Sequence, residues 1–219
     1  MSLVVNNLNN IENQIKSKVK DLNIIKFPKI IAVSKTFKLS QIMPAIEYGH
    51  CDFGENKVQE ALEKWSIIKE KNKNIKLHLI GKLQTNKVKS AVQIFDYIHS
   101  VDNERLAKKI AEEQKKISKK IKIFLQVNIG NESQKSGINK NDIKDLVLYC
   151  NKIELNVIGL MCIPPANIDP EDCFREMERL NKVLGLTELS MGMSSDFLEA
   201  IKYSSTYVRV GSAIFGLRY

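Results

Sequence analysis

Residues 121–163 read IKIFLQVNIGNESQKSGINKNDIKDLVLYCNKIELNVIGLMCI, two apolar runs flanking an amphipathic stretch. The runs 123–129 (IFLQVNI) and 157–163 (VIGLMCI) are continuous, as strands are when helices cover one face and packed side chains the other. Between them a Gly/Asn/Ser-rich loop leads into a helical pattern over 140–151. Neighbouring parallel strands need a crossover of a dozen or more residues, and this stretch supplies one.

Outward from this unit the alternation continues along the chain. Strands are expected at 30–35, 51–53, 77–80, 96–100, 121–128, 155–161, 187–191 and 206–210. Helices are expected at 39–49, 56–72, 85–95, 103–118, 140–151, 171–184 and 194–203, with a short apolar segment after Gly211. At the N-terminus Val4, Leu8, Ile11, Ile15, Val19 and Leu22 recur at steps of four and three, one stripe of an amphipathic helix within 1–25 that packs on the rest. Eight strand–helix units predict a closed (β/α)8 TIM barrel, which 219 residues accommodate near the lower end of its size range. An open doubly wound sheet is the competing arrangement.

With 43% hydrophobic and 27% charged residues, one domain over 1–219 with a substantial core is expected; a disordered chain and two full catalytic domains are excluded. The formal charge of +9 suits a nucleic acid, an acidic lipid or a phosphorylated small molecule. The excess is mostly lysine: the arginines are Arg105, Arg175, Arg179, Arg209 and Arg218, and bidentate readout of bases favours arginine. Lys108, Lys109, Lys115, Lys116, Lys119 and Lys120 alternate with Ile110, Ala111 and Ile117 at helical spacing, which reads as a solvated helix face more readily than as a nucleic-acid patch.

The cysteines Cys51, Cys150, Cys162 and Cys173 form no C-x-x-C pair, and no histidine stands at metal-ligand spacing, so neither a zinc site nor a disulfide framework is expected. The opening MSLVVNNLNN is unlike a signal peptide, and no apolar run reaches the roughly 18 residues of a membrane span. A reduced, cytoplasmic protein is expected.

In a parallel barrel the chemistry lies on the loops leaving the carboxyl ends of the strands. Five consecutive strand ends carry polar residues: Ser34-Lys35-Thr36, Glu55-Asn56-Lys57, Gly81-Lys82 with Lys87 beyond, Asp102, and Asn128 before a loop holding Lys135 and Gly137. Lys35 follows an apolar strand directly, where partial desolvation would favour the free amine and attack on a carbonyl; a lysine snorkelling to solvent is the plainer alternative. The last two strands lead into Met191-Gly192-Met193-Ser194-Ser195-Asp196 and, through Arg209-Val210, into Gly211-Ser212, whose glycines and hydroxyls suit a phosphate. Helix capping by Ser194 or Ser195 is the plainer reading there. A lysine and a phosphate loop at one barrel mouth suggest a ligand with both an aldehyde and a phosphate.

At these residues AVSKTF, FGENKVQE, HLIGKLQTNK, SVD, KSG, GLM, SMGMSSDF and STYVRVGSAIFG resemble, in order and spacing, the pyridoxal phosphate homeostasis protein family. These are single-domain relatives of the alanine racemase N-terminal barrel, and the likeness runs from about Ile30 to Tyr219. It implies that Lys35 forms a Schiff base with pyridoxal 5′-phosphate (PLP), that Ser194, Gly211 and Ser212 hold the phosphate, and that Met191 and Gly192 shape the pocket. It also implies that Arg209 faces the pyridine nitrogen, making the cofactor a weaker electron sink, and that Asn56 lies near the ring. Lys82, Lys87 and Lys135 are basic groups around the mouth, with no catalytic role. The departures, Ser195-Asp196 after the glycine loop and Lys57 where relatives often carry an aromatic, touch none of the implied cofactor groups.

The racemase takes its second acid/base group, a tyrosine, from an added β domain and a dimer partner; this sequence ends at Tyr219, and none of its tyrosines has an evident claim to that role. The resemblance therefore implies a PLP-binding protein that stores, buffers or delivers the cofactor, with indirect effects on amino-acid and keto-acid balance. A monomer is expected, with PLP-dependent apo-enzymes as potential acceptors. The alternatives are a slow PLP-dependent racemase or lyase, and a basic nucleic-acid-binding module.

Overall fold

The computed structural model describes residues 2–130, 132, 136–165 and 168–216. The strands β1 (Lys29–Val33), β2 (Asp52–Glu55), β3 (Lys76–Leu79), β4 (Tyr97–Val101), β5 (Lys122–Gln126), β6 (Val157–Met161), β7 (Glu188–Ser190) and β8 (Tyr207–Val210) close into one parallel barrel in chain order, β8 pairing with β1. Closure excludes the open sheet. The helices α1 (Leu3–Asp21), α2 (Leu39–Glu47), α3 (Val58–Lys71), α4 (Val88–Ile94), α5 (Glu104–Lys116), α6 (Ile143–Lys152), α7 (Pro170–Val183), α8 (Phe197–Lys202) and α9 (Ser212–Phe215) surround it.

Boundaries differ from the expected ones where apolar residues run past the hydrogen-bonded ladder. Leu155 is buried yet lies outside β6, since burial alone does not extend pairing, while Val127, past the end of β5, pairs with Ile138. The expected helix 194–203 is shorter, because Asp196 occupies the cap position of α8.

Helix α1 starts at Ser2, whose hydroxyl accepts from the Val5 N–H at 3.3 Å. It buries Val5, Leu8, Ile11 and Ile15, while Leu22 caps its end and is exposed. The Asn7 side chain donates to the Ile214 carbonyl at 2.9 Å and ties α1 to α9.

Period-two alternation along the strands divides the core. Ile31, Tyr97, Phe124, Met161 and Tyr207 pack together inside the barrel, whereas Ile30, Ala32, Leu77, Ile98 and Leu189 join the apolar layer under the helices. Tyr97 and Tyr207 thus belong to the barrel interior.

On the outer surface, Glu113 accepts from Lys109 at 3.0 Å and Lys116 at 2.8 Å, and Lys119 donates to the Phe95 carbonyl at 2.7 Å. Part of the lysine-rich face is therefore neutralised locally. Cys150, Cys162 and Cys173 are buried and form no disulfide; burial pushes Cys150 and Cys162 up to about 12, so those two are unreactive at neutral pH. Among the described residues no helix is long and apolar enough to cross a membrane, and no cluster of acidic, histidine or cysteine side chains could hold a metal ion.

Candidate functional site

The loops at the carboxyl ends of the strands meet over a cavity of about 390 Å3, within the size range of small-molecule sites. Lys35 reaches it from β1, Asn56 from β2, Ser194 from the loop after β7, and Arg209, Gly211 and Ser212 from β8 and the turn beyond. Four separate strands thus deliver six of the residues singled out in the sequence to one wall. Met193, Ser195, Val33, Ile80 and Ile163 complete it.

Lys35 is half-buried, and the backbone on both sides of it is clamped. The Ser34 N–H donates to the Gly54 carbonyl at 2.9 Å, continuing the β1–β2 ladder, and its hydroxyl donates to Glu55 Oε1 at 2.7 Å. Thr36 takes a left-handed φ of 68°, and its N–H donates to Glu60 Oε1 at 2.5 Å. Lys64 Nζ bridges the two carboxylates, at 2.9 Å from Glu55 and 3.0 Å from Glu60, and donates to the Ser34 carbonyl at 2.8 Å. The Trp65 indole N–H supplies a further donor to Glu55 Oε1 at 2.9 Å. Desolvation pushes the Glu60 carboxyl up, but Lys64 and the Thr36 amide together outweigh it and hold the group below its ordinary value.

This clamp was not identified in the sequence. The Glu60–Lys64 spacing is a readable i,i+4 pair, but nothing local shows that a fully buried Glu55 joins it.

Asn56 is placed by its neighbour in space. A Cβ on Gly81 would stand 2.4 Å from the Asn56 carbonyl oxygen and 2.8 Å from its Cα. The glycine of HLIGKLQTNK therefore lets the β2 loop sit against the β3 loop.

Arg209 is buried and fixed by three hydrogen bonds: NH1 donates to the Ser190 carbonyl at 2.6 Å and hydroxyl at 2.7 Å, and NH2 donates to the Cys162 carbonyl at 2.7 Å. A guanidinium has five N–H donors, so two remain on a side chain that lines the cavity. Burial pulls Arg209 below its ordinary pKa, yet arginine stays charged at such sites.

The Ser194 hydroxyl accepts from the Gly211 N–H at 3.3 Å and the Ala213 N–H at 3.5 Å, joining the loops after β7 and β8. It does not cap α8; Asp196 Oδ1 instead accepts from the Met193 N–H at 2.5 Å.

Met191 and Gly192 lie off the cavity wall. Ser190 points into the barrel, so alternation turns Met191 outward, where it is fully buried in the apolar layer under the helices. Gly192 has φ 90°, and a Cβ there would meet Ala200 Cβ at 2.7 Å and Phe197 Cα at 2.9 Å. Its role is to let α8 approach the barrel. Lys82 and Lys87 are exposed. Lys82 lines an adjoining hollow of about 370 Å3 that shares Asn56, Ile80 and Ile163 with the first, while Lys135 lies outside the described residues.

A wider hollow of about 710 Å3 is lined by Lys108, Lys115, Lys120 and Lys152. It lies at the C-terminal ends of α5 and α6, where the helix dipoles oppose an anion, and no strand-end residue reaches it.

Residues 7–219 match the family described as alanine racemase, N-terminal domain. The pyridoxal phosphate homeostasis protein of Pasteurella multocida is 38% identical over 201 residues, 87% of this chain and 86% of that one. The chain belongs to the pyridoxal phosphate homeostasis protein family. The relative of that name from Haemophilus influenzae is 37% identical over 98% of this chain and 96% of its own. PipY of Synechococcus elongatus, solved with PLP bound, is 32% identical with a TM-score of 0.80, covering 92% of this chain and 100% of that one. Within the family's shared barrel, this chain presents a lysine, a buried arginine and three serines on one cavity.

Proposed function

We propose that this protein binds PLP in the cavity at its barrel mouth and serves PLP homeostasis by storing, buffering or delivering the cofactor. The observation that carries the reading is the convergence of Lys35, Arg209, Ser194, Gly211 and Ser212 on one cavity of about 390 Å3. When bound, PLP supplies an aldehyde that condenses reversibly with amines. Lys35 holds it as a Schiff base, its backbone kept in place by the Glu55–Lys64–Glu60 clamp. Ser194, Gly211 and Ser212 hold the phosphate, and the two N–H groups of Arg209 that have no partner among the described residues suit the pyridine nitrogen. Asn56 bounds the ring. Gly192 acts from behind the wall by seating α8, and Met191 packs in the apolar layer there.

In this reading the described barrel with α1 packed on it is one PLP-binding unit, acting in the cytoplasm as a monomer. Loaded protein would exchange cofactor with apo-enzymes and so affect amino-acid and keto-acid balance indirectly. The test is a visible spectrum of the protein with PLP, before and after borohydride, followed by mass mapping. Label on Lys35, lost in Lys35→Ala, is the expected result. An imine band that survives in Lys35→Ala, or label on a different lysine, overturns the assignment.

A further inference from the structure

Beneath the cavity a chain of polar side chains crosses the barrel interior. Arg209 NH1 donates to Ser190 Oγ at 2.7 Å. His99 Nδ1 lies 2.9 Å from the same hydroxyl, and His99 Nε2 lies 3.0 Å from His78 Nδ1. His78 Nε2 lies 2.9 Å from Asp52 Oδ1. Ser190, His78 and His99 are fully buried, and the two rings are stacked on Tyr97 and Phe124 respectively, with centroids 4.2 Å apart in each pair.

With both rings neutral, the carboxylate end forces one direction on this chain. A carboxylate only accepts, so His78 carries its proton on Nε2, donated to Asp52, and its Nδ1 accepts. His99 then carries its proton on Nε2, donated to His78 Nδ1, and its own Nδ1 accepts the Ser190 hydroxyl proton. Ser190 Oγ accepts in turn from Arg209. Every link is satisfied with both rings neutral. Burial, then the nearby positive groups, disfavour a charged His99, and burial disfavours a charged His78.

We propose that Ser190, His99, His78 and Asp52 form a unidirectional hydrogen-bond relay that holds Arg209 as a fixed, charged donor toward the cofactor ring. These four are positioning residues, and none of them lines the cavity. The relay extends the PLP-binding reading above, because it assigns Arg209 its partner through that reading. Its physical basis is the alternation that turns residues of β2, β3, β4, β7 and β8 into the same interior column.

The experiment has two arms. Nitrogen NMR of isotope-labelled histidine in the whole protein at neutral pH reads the tautomers without any cofactor. Both His78 and His99 are expected as neutral rings with the proton on Nε2. A charged ring, or a proton on Nδ1 of either, overturns the relay.

In the second arm, Ser190→Ala is expected to weaken PLP binding about tenfold, the scale of one lost hydrogen bond to a charged group. It is also expected to shift the absorption maximum of bound PLP, and Ser190→Thr to restore both. A folded Ser190→Ala protein with unchanged affinity and spectrum overturns the relay. Borohydride mapping of the unsubstituted protein keeps the two readings apart. Absence of label on Lys35 refutes the cofactor reading while leaving the tautomer result to stand; label on Lys35 with the wrong tautomers refutes the relay alone.

Discussion

Replacing Lys64 by Met removes the cation between two carboxylates under the lysine loop. Glu55 is fully buried, and the Lys64 side chain is only 9% exposed, so the pair behaves as a buried one. Breaking such a pair by removing one partner costs about 3–5 kcal/mol, because the remaining charge stays desolvated. That is a large part of the roughly 5–15 kcal/mol that stabilises a folded protein. For a domain of this size it corresponds to a fall in Tm of about 6–20 °C. Ser34 Oγ and Trp65 Nε1 still donate to Glu55, which places the cost nearer the lower figure.

Glu55→Gln introduced alongside Lys64→Met removes the stranded charge while its amide oxygen keeps both neutral donors. The double variant is therefore expected to be more stable than Lys64→Met alone by about 1–3 kcal/mol, the usual coupling between contacting residues. Urea denaturation of the four proteins of this cycle measures it. A cost below about 1 kcal/mol for Lys64→Met, set against the 3–5 kcal/mol of a broken buried pair, would refute the argument. So would a double variant no more stable than the single one. Lys64→Met also frees the Ser34 carbonyl, so occupancy of Lys35 by PLP should fall in parallel.

Other consequences follow from the same geometry. Burial depresses the pKa of His50, His78 and His99, so below the unfolded value of about 6.5 the unfolded chain binds more protons. Stability should be level above about pH 6.5 and fall below it, approaching about 4 kcal/mol per pH unit if all three remain neutral. Equal denaturant midpoints at neutral and mildly acid pH would contradict this. Desolvation alone would raise the Asp52 carboxyl, but His78, Lys29 and His50 outweigh it and hold the group down; its contribution is present above about pH 3.9 and is lost as the pH falls through the lower folded value. Gly81→Ala forces a Cβ against the Asn56 backbone and should cost about 1–3 kcal/mol with weaker PLP binding; unaltered thermal unfolding would count against the assigned role. Gly192→Ala combines a positive φ with a clash against α8, so it should destabilise by a similar amount and lower affinity only through loss of fold, which separates it from the Lys35 and Ser190 variants.

The barrel was legible because its signal is local and repeated. Continuous apolar runs such as Ile30–Val33 and helical stripes such as Leu8, Ile11 and Ile15 each reflect burial of one face, and eight of them in alternation leave few architectures. Lys35 and the loops around Ser194 and Gly211 were legible for a related reason: polar residues directly after buried strands converge wherever parallel strands close, whereas Arg209, inside β8, was implied by the family resemblance.

Orientation and long-range pairing were decided by the tertiary structure. Met191 is one residue past Ser190, yet one faces the helices and the other the barrel interior, a difference that a run of adjacent residues does not display. The Glu55–Lys64 clamp and the path from Arg209 to Asp52 join residues separated by 9 to 91 positions. Sequence determines which side chains are available and on which strand they stand. Only closure of the barrel, by setting the register of each strand against the next, determines which of them share a proton or a charge.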